Sequence, residues 1–172
     1  MTESYEFRPV EWLTAGAVGE PGQREFYIQA RASGDEVALA VEKEQVRKLA
    51  ELAQELLARL DVTVTPDDLD TAGQQLREPL KPAWRAGSMS LGMDTEGTHF
   101  LLEAEELLGE EDDEPAVARF WMTKEQLVSF AAYAAYAVEA GARERCRLCG
   151  RPIDPVDGHV CPATNGHGPL TL

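Results

Sequence analysis

The chain has 172 residues, 44% of them hydrophobic, and a formal net charge of -15 at neutral pH. Its size and composition are typical of a globular protein with one core, and no uncharged apolar run reaches the roughly 18 residues that a membrane-spanning helix needs. Residues 141–172 carry four arginines and three acids, a net charge of +1, so the other 140 residues carry -16. Such an acidic body disfavours nucleic acid as its partner.

The first half of the chain predicts three strands and one helix, after a lead-in at residues 1–10. Polar and apolar residues alternate in segments bounded by turn residues such as Pro21 and Gly22, a pattern typical of strands joined by hairpins. We expect these strands at residues 11–18, 24–31 and 36–41. Apolar residues at helical spacing then predict a helix from about Lys43 to Leu60.

Residues 61–83 are expected to join the two halves of the chain. Thr65 is suited to cap a helix, and Pro66 is suited to its first position, so we expect a short helix that ends near Gln75. Pro79 and Pro82 predict extended chain after it.

The second half predicts the same order of elements. We expect its strands at residues 84–91, 98–105 and 116–121. Thr123 and Gln126 have the spacing of a capping box, which predicts a helix that begins there and ends at Gly141.

A short sequence at the start of the helix occurs in both halves, as Lys43-Glu44-Gln45 and as Lys124-Glu125-Gln126. Each copy follows a short apolar run and precedes a long apolar pattern. We therefore predict an α+β fold of two βββα repeats, at residues 1–60 and 84–141, with a mainly antiparallel sheet and one shared core. Residues 61–83 are the linker, and residues 142–172 form a separate zinc-knuckle-like tail.

The second helix carries no charge between residues 127 and 138. A helix that is apolar on all sides must be covered on several of them. The first helix, the linker or the tail could supply that cover within the chain. The alternative is a homodimer that forms through this helix face.

The tail holds all three cysteines, Cys146, Cys149 and Cys161. Two thiolates separated by two residues can bind one tetrahedral ion, and three cysteines with one histidine are the donor set of a closed structural zinc site. A clustered, odd number of cysteines in an intracellular protein favours metal binding over disulfides. The acidic N-terminus lacks the apolar centre of a signal peptide, so we expect a cytoplasmic location.

Two histidines could complete the zinc site. His159 lies two residues before Cys161, so we expect a bend to bring both to the ion, and His167 lies six residues after it. The alternative to a metal is a redox pair of Cys146 and Cys149. Such pairs usually stand between a strand and a helix of a βαβ unit, which the predicted antiparallel repeats do not supply.

Four segments resemble an uncharacterised family of high-GC Gram-positive bacteria, described as repeat proteins or as a domain of unknown function. They are residues 19–26, 39–46, 146–150 and 158–166. The most specific part is the Cys-x-x-Cys-Gly and Gly-His-x-Cys-Pro pattern of the tail. The resemblance implies that His159 is the fourth ligand. The chain departs from the pattern at Ala163 and His167, which leaves His167 open, and the family implies no activity.

These features predict a non-catalytic, zinc-stabilised cytoplasmic protein that binds another protein or a small ligand. We expect the binding site in the cleft between the repeats, near Arg24, Gln29 and His99.

Two other functional classes stay open. A hydrolase-like zinc enzyme would keep an open metal position, with His159 off the metal, although the chain has no His-Glu-x-x-His motif. A nucleic-acid module would use Arg145 and Arg147 beside the cysteines, against the negative charge of the body.

Overall fold

The computed structural model describes residues 2–111, 114–140, 146–149, 151, 159–164 and 169–170. The strands of the main sheet are β1 (Tyr5–Phe7), β2 (Trp12–Val18), β3 (Glu25–Ala32), β4 (Asp35–Val41), β5 (Pro82–Met93), β6 (His99–Glu106) and β7 (Val117–Thr123). The helices are α1 (Lys43–Ala58) and α2 (Lys124–Ala140). In the tail, β8 (His159–Val160) pairs with β9 (Pro169–Leu170).

The main sheet has the strand order β1-β7-β6-β5-β4-β3-β2. Four of its neighbouring pairs are antiparallel, and two pairs, β1 with β7 and β4 with β5, are parallel. The predicted α+β class with a mainly antiparallel sheet is therefore confirmed. The parallel pairs are a finding of the structure. A parallel pair needs a long crossover, and α1 with the linker supplies the one between β4 and β5.

After β1, the chain has two stretches of the same order, β2-β3-β4-α1 in the first half and β5-β6-β7-α2 in the second. The element boundaries lie within about two residues of those predicted. The first helix ends at Ala58 rather than at Leu60, because Asp61 takes a left-handed conformation with φ of 59°. That conformation lets the Val62 N–H donate back to the Leu57 carbonyl at 3.0 Å and closes the helix end.

The expected lead-in is wrong for residues 5–7, which form β1. This strand pairs in parallel with β7, and it places Phe7 opposite Phe120. The two rings pack with centroids 5.7 Å apart, and the Phe7 side chain is buried. Burial of this ring explains why a segment so near the N-terminus is ordered.

The chain between β1 and β2 connects the two ends of the strand order. The Val10 N–H donates to the Trp121 carbonyl in β7 at 2.9 Å, and the Glu11 N–H donates to the Arg31 carbonyl in β3 at 2.8 Å. One continuous segment therefore hydrogen-bonds to strands from both halves.

The hydrophobic core is one cluster to which both halves contribute. Ile28, Leu39, Phe100, Phe120 and Phe130 are among its fully buried side chains. The two halves thus share a core, which stabilises the fold by burying apolar surface from all seven strands and both helices.

The uncharged part of α2 is covered largely within the chain. The helix packs against α1 and β2, and its buried residues are Leu127, Phe130, Ala131, Tyr133, Ala134, Ala137 and Val138. Tyr136 stays 43% exposed. Neither helix, within the described residues, has the length and apolar composition needed to cross a membrane.

The short helix predicted to end near Gln75 is wrong, since only Pro66–Asp68 form a 3₁₀ turn. Thr65 does begin this turn, and its N–H donates to the Asp68 carboxylate at 2.7 Å. At Leu69 the backbone becomes extended, with φ of -76° and ψ of 112°.

The rest of the linker is held against β2 by two side chains of that strand. The Trp12 indole N–H donates to the Gly73 carbonyl at 2.8 Å, and the Thr14 hydroxyl donates to the Gln74 carbonyl at 2.5 Å. These bonds satisfy linker carbonyls that a helix would have paired internally. Tertiary hydrogen bonding thereby outweighs the local helix signal.

Candidate metal centre

The structure brings together the four residues predicted to bind zinc. Cys146, Cys149, His159 and Cys161 each offer one donor atom, and these atoms all lie within 4.8 Å of one another. The Cys146 and Cys161 Sγ atoms are 3.6 Å apart, and the Cys149 Sγ lies 3.0 Å from the His159 Nε2.

The first two donors come from one tight turn. The chain reverses over residues 147–149, and the Cys146 N–H donates to the Arg151 carbonyl at 2.8 Å. Hydrogen bonds from the backbone N–H groups of Cys149 and Leu148 hold the pKa of the Cys146 thiol below its usual value. The turn therefore favours the thiolate, which is the form that binds a metal.

The other two donors come from β8 and the residue after it. Side chains two residues apart in extended chain point to the same face, so His159 and Cys161 reach the same point. The expected bend between them is therefore wrong, since an extended strand achieves the same result. Burial raises the pKa of the Cys161 thiol, and a hydrogen bond from the Ala163 N–H opposes that rise.

The chemistry and spacing of this donor group fit a zinc ion. Zn–S bonds of about 2.3 Å in a tetrahedron place two sulfurs about 3.8 Å apart, close to the Cys146–Cys161 separation of 3.6 Å. Thiolate and imidazole are donors that zinc prefers. Cys146 and Cys161 are buried, whereas Cys149 and His159 are half-buried, so the group is sheltered on one side.

A comparison with protein-family models gives one match, over residues 5–161, to a family described as "Protein of unknown function (DUF3090)". The chain belongs to this family. The DUF3090 match ends at Cys161 and so includes all four donor residues along with the whole body. The resemblance to a domain of unknown function is thus confirmed. Neither the curated proteins nor the solved structures gave a match.

Two histidines of the DUF3090 chain are not placed in the donor group. His167 lies outside the described residues. His99 begins β6, where its side chain is 54% exposed and its Nδ1 lies 3.4 Å from the Asp94 carboxylate and 3.1 Å from the Thr98 hydroxyl. His99 is therefore an exposed residue of the body and is not one of the four donors.

The geometry also disfavours an isolated redox pair of Cys146 and Cys149. Each of these thiols has a second donor beside it, Cys161 for Cys146 and His159 for Cys149. A site in which four donors converge is the arrangement of a metal centre.

The ligand cleft expected near Arg24, Gln29 and His99 is not built from these residues. Gln29 is 1% exposed, and its amide is used inside the protein. It donates to the Glu36 carboxylate and the Arg77 carbonyl and accepts from the Arg77 N–H. Arg24 donates to a carbonyl in the last turns of α2, and the exposed side chain of His99 lies at the start of β6.

Proposed function

We propose that this DUF3090 protein is a non-catalytic, zinc-stabilised cytoplasmic protein that binds another molecule. The observation that carries this proposal is the group of three thiols and one imidazole whose donor atoms lie within 4.8 Å of one another. A zinc ion bound there would fix the tail, whose described residues form short turns and one pair of two-residue strands.

The number of donors supports a structural rather than a catalytic site. Catalytic zinc keeps one position for water, whereas structural zinc is closed by four protein donors. His159 stands among the sulfurs, with its Nε2 3.0 Å from the Cys149 Sγ. A hydrolase-like enzyme would need this imidazole away from the metal.

The cysteines support a reducing compartment. All three are free thiols in the structure, and they must stay reduced to act as zinc ligands. A cytoplasmic location provides that condition.

We further propose that the two halves are βββα repeats. Gln45 accepts a hydrogen bond from the residue before its helix at 2.7 Å and donates to the Gly87 carbonyl in β5 at 2.8 Å. Gln126 accepts from the residue before its helix at 2.9 Å and donates to the Val10 carbonyl beside β2 at 2.9 Å. Each glutamine hydrogen-bonds the start of its own helix to the region of the first strand in the other half. The two equivalent contacts support the proposal that the halves are repeats of one unit.

The test is the zinc content of protein purified without chelator. We expect about one zinc per chain in the wild type, loss in Cys146→Ser, a reduced content in His159→Ala, and no change in His167→Ala. His99→Ala is the matched control, because this histidine lies outside the donor group. Zinc retained in His159→Ala together with an exchangeable water would instead indicate an open, catalytic site. A wild-type protein without metal would reject the proposal.

A further inference from the structure

A pocket of about 190 Å³ lies where the two halves and the linker meet. Residues 11–13 at the start of β2 form one wall, and Gln74 of the linker forms another. Glu125, Gln126 and Ser129 of α2 complete it. The pocket is part of the body and contains none of the residues of the metal centre.

Some polar groups around this pocket are already engaged. Both ends of the Gln126 amide are used, by the residue before the helix and by the Val10 carbonyl. The Trp12 indole N–H donates to the Gly73 carbonyl. Glu11 accepts from the Ser33 N–H at 3.0 Å and lies 3.8 Å from the Arg31 guanidinium. These contacts fix the walls of the pocket.

Three oxygen groups in the same pocket have no protein partner among the described residues. The Gln74 Oε1 is buried and accepts no hydrogen bond. The Thr14 hydroxyl donates to the Gln74 carbonyl, and this bond fixes the backbone position from which the Gln74 side chain extends. No partner within the described ranges engages the Ser129 hydroxyl or the Glu125 carboxylate. Of the three groups, the Gln74 Oε1 is buried, whereas Ser129 is half-buried and Glu125 is exposed. The buried acceptor without a partner costs free energy, which a bound donor would recover.

These groups are complementary to a primary ammonium ion. An alkylammonium has three N–H donors, no acceptor and one positive charge. The pocket offers three oxygen acceptors, one of them a carboxylate, within a body that carries -16. Trp12 and Leu13 supply apolar surface for methylene groups. An adjoining pocket of about 340 Å³, also lined by Glu125 and Ser129, adds Val62 and Val128 for a longer chain.

We propose that this pocket binds a small aliphatic primary amine in its ammonium form. The assignment rests on the binding role proposed above and names its ligand class. It does not depend on the metal, because none of the four donor residues lines the pocket.

The experiment is a titration of zinc-loaded protein with pentylammonium chloride, followed by amide and indole NMR signals. We expect saturable shifts of the Trp12 indole N–H and of the Glu125 and Ser129 amides. Pentanol, which has the same chain but no charge, should shift them far less. Hydrogen bonds to charged groups contribute about 1.5–3 kcal/mol, so Glu125→Gln and Ser129→Val should each weaken binding about tenfold or more.

Glu139→Gln is the matched control, since Glu139 is exposed near the other end of the same helix. It should bind as the wild type does. Three results would each overturn the proposal. They are equal shifts from pentanol and pentylammonium, unchanged affinity in Glu125→Gln and Ser129→Val, and saturation only by Mg²⁺ or Ca²⁺.

Repeating the titration on Cys146→Ser separates the proposal of an amine pocket from the proposal of a zinc site. Unchanged amine binding without zinc supports a pocket independent of the metal, and zinc content measured on the same sample tests the metal centre by itself.

Discussion

The body and the tail are ordered by different chemistry. In the body, one apolar cluster draws on all seven strands of the main sheet and both helices. In the described part of the tail, the buried cluster consists of Cys146 and Cys161 with Cys149 against them. Leu148 and Val160, the apolar neighbours of these cysteines, are 63% and 60% exposed. The described part of the tail therefore has no apolar core of its own, and we expect its order to depend on the donor group.

Removal of the metal is the strongest test of this difference. Structural zinc sites contribute about 10–16 kcal/mol of apparent binding free energy, and a small metal module usually unfolds without it. A chelator should therefore abolish hydrogen-exchange protection of the Cys146 amide, which bonds to the Arg151 carbonyl, while β3 and β6 keep theirs. Cys146→Ser should give the same pattern without chelator. Protection of the tail that survives complete zinc removal would show that the tail does not need a metal.

The reverse test weakens the body and leaves the tail intact. Phe120 is fully buried in β7, so Phe120→Ala should lower the free energy of unfolding of the body by about 3–5 kcal/mol. Urea denaturation measures this change. Tyr136→Ala, at a 43% exposed site, is the control and should cost far less. Zinc content under native conditions should stay at the wild-type value. A Phe120→Ala protein that loses zinc while still folded would show that the two regions are coupled.

Local signals account for what the sequence predicts correctly. Turn residues and alternation place the strands of both halves, and the spacing of Cys146 and Cys149 identifies the start of the metal centre. The choice of His159 over His167 rests on the resemblance of the Gly-His-x-Cys-Pro pattern, because the spacing of the residues alone leaves both histidines open.

The features that the sequence does not predict depend on distant partners. β1 is ordered by β7, which lies far along the chain, and parallel pairing leaves no local turn signal. The linker is extended because Trp12 and Thr14 bind its carbonyls. Gln74 and Ser129 meet in one pocket although neither residue has a recognisable motif around it.

Within the body, the linker is held by polar contacts in addition to the apolar packing of Val62 and Val64 against the core. Gln29→Leu removes the side chain that pairs with both the N–H and the carbonyl of Arg77. Leaving such groups unpaired costs about 1–3 kcal/mol, so the free energy of unfolding should fall by that amount. Exchange at the Arg77 amide should also become faster. Gln54→Leu on the exposed side of α1 is the control. If Gln29→Leu is as stable as wild type, the hydrogen bonds between Gln29 and Arg77 do not stabilise the linker.

The smallest expected effect concerns the turn between β5 and β6, in which Asp94 contributes to the pH dependence of the free energy of unfolding. A hydrogen bond from the Thr98 backbone N–H lowers the pKa of Asp94 from 3.8 to about 2. Because the folded-state pKa is depressed, the contribution to stability is fully present above the ordinary value and is lost as the pH falls through about 2. Urea denaturation between about pH 5 and pH 2 should therefore show a steeper loss in wild type than in Asp94→Asn. Both proteins should carry Cys146→Ser, since protons also compete with zinc for its ligands. Identical slopes would mean that the hydrogen bonds of this turn leave the acid stability of the body unchanged.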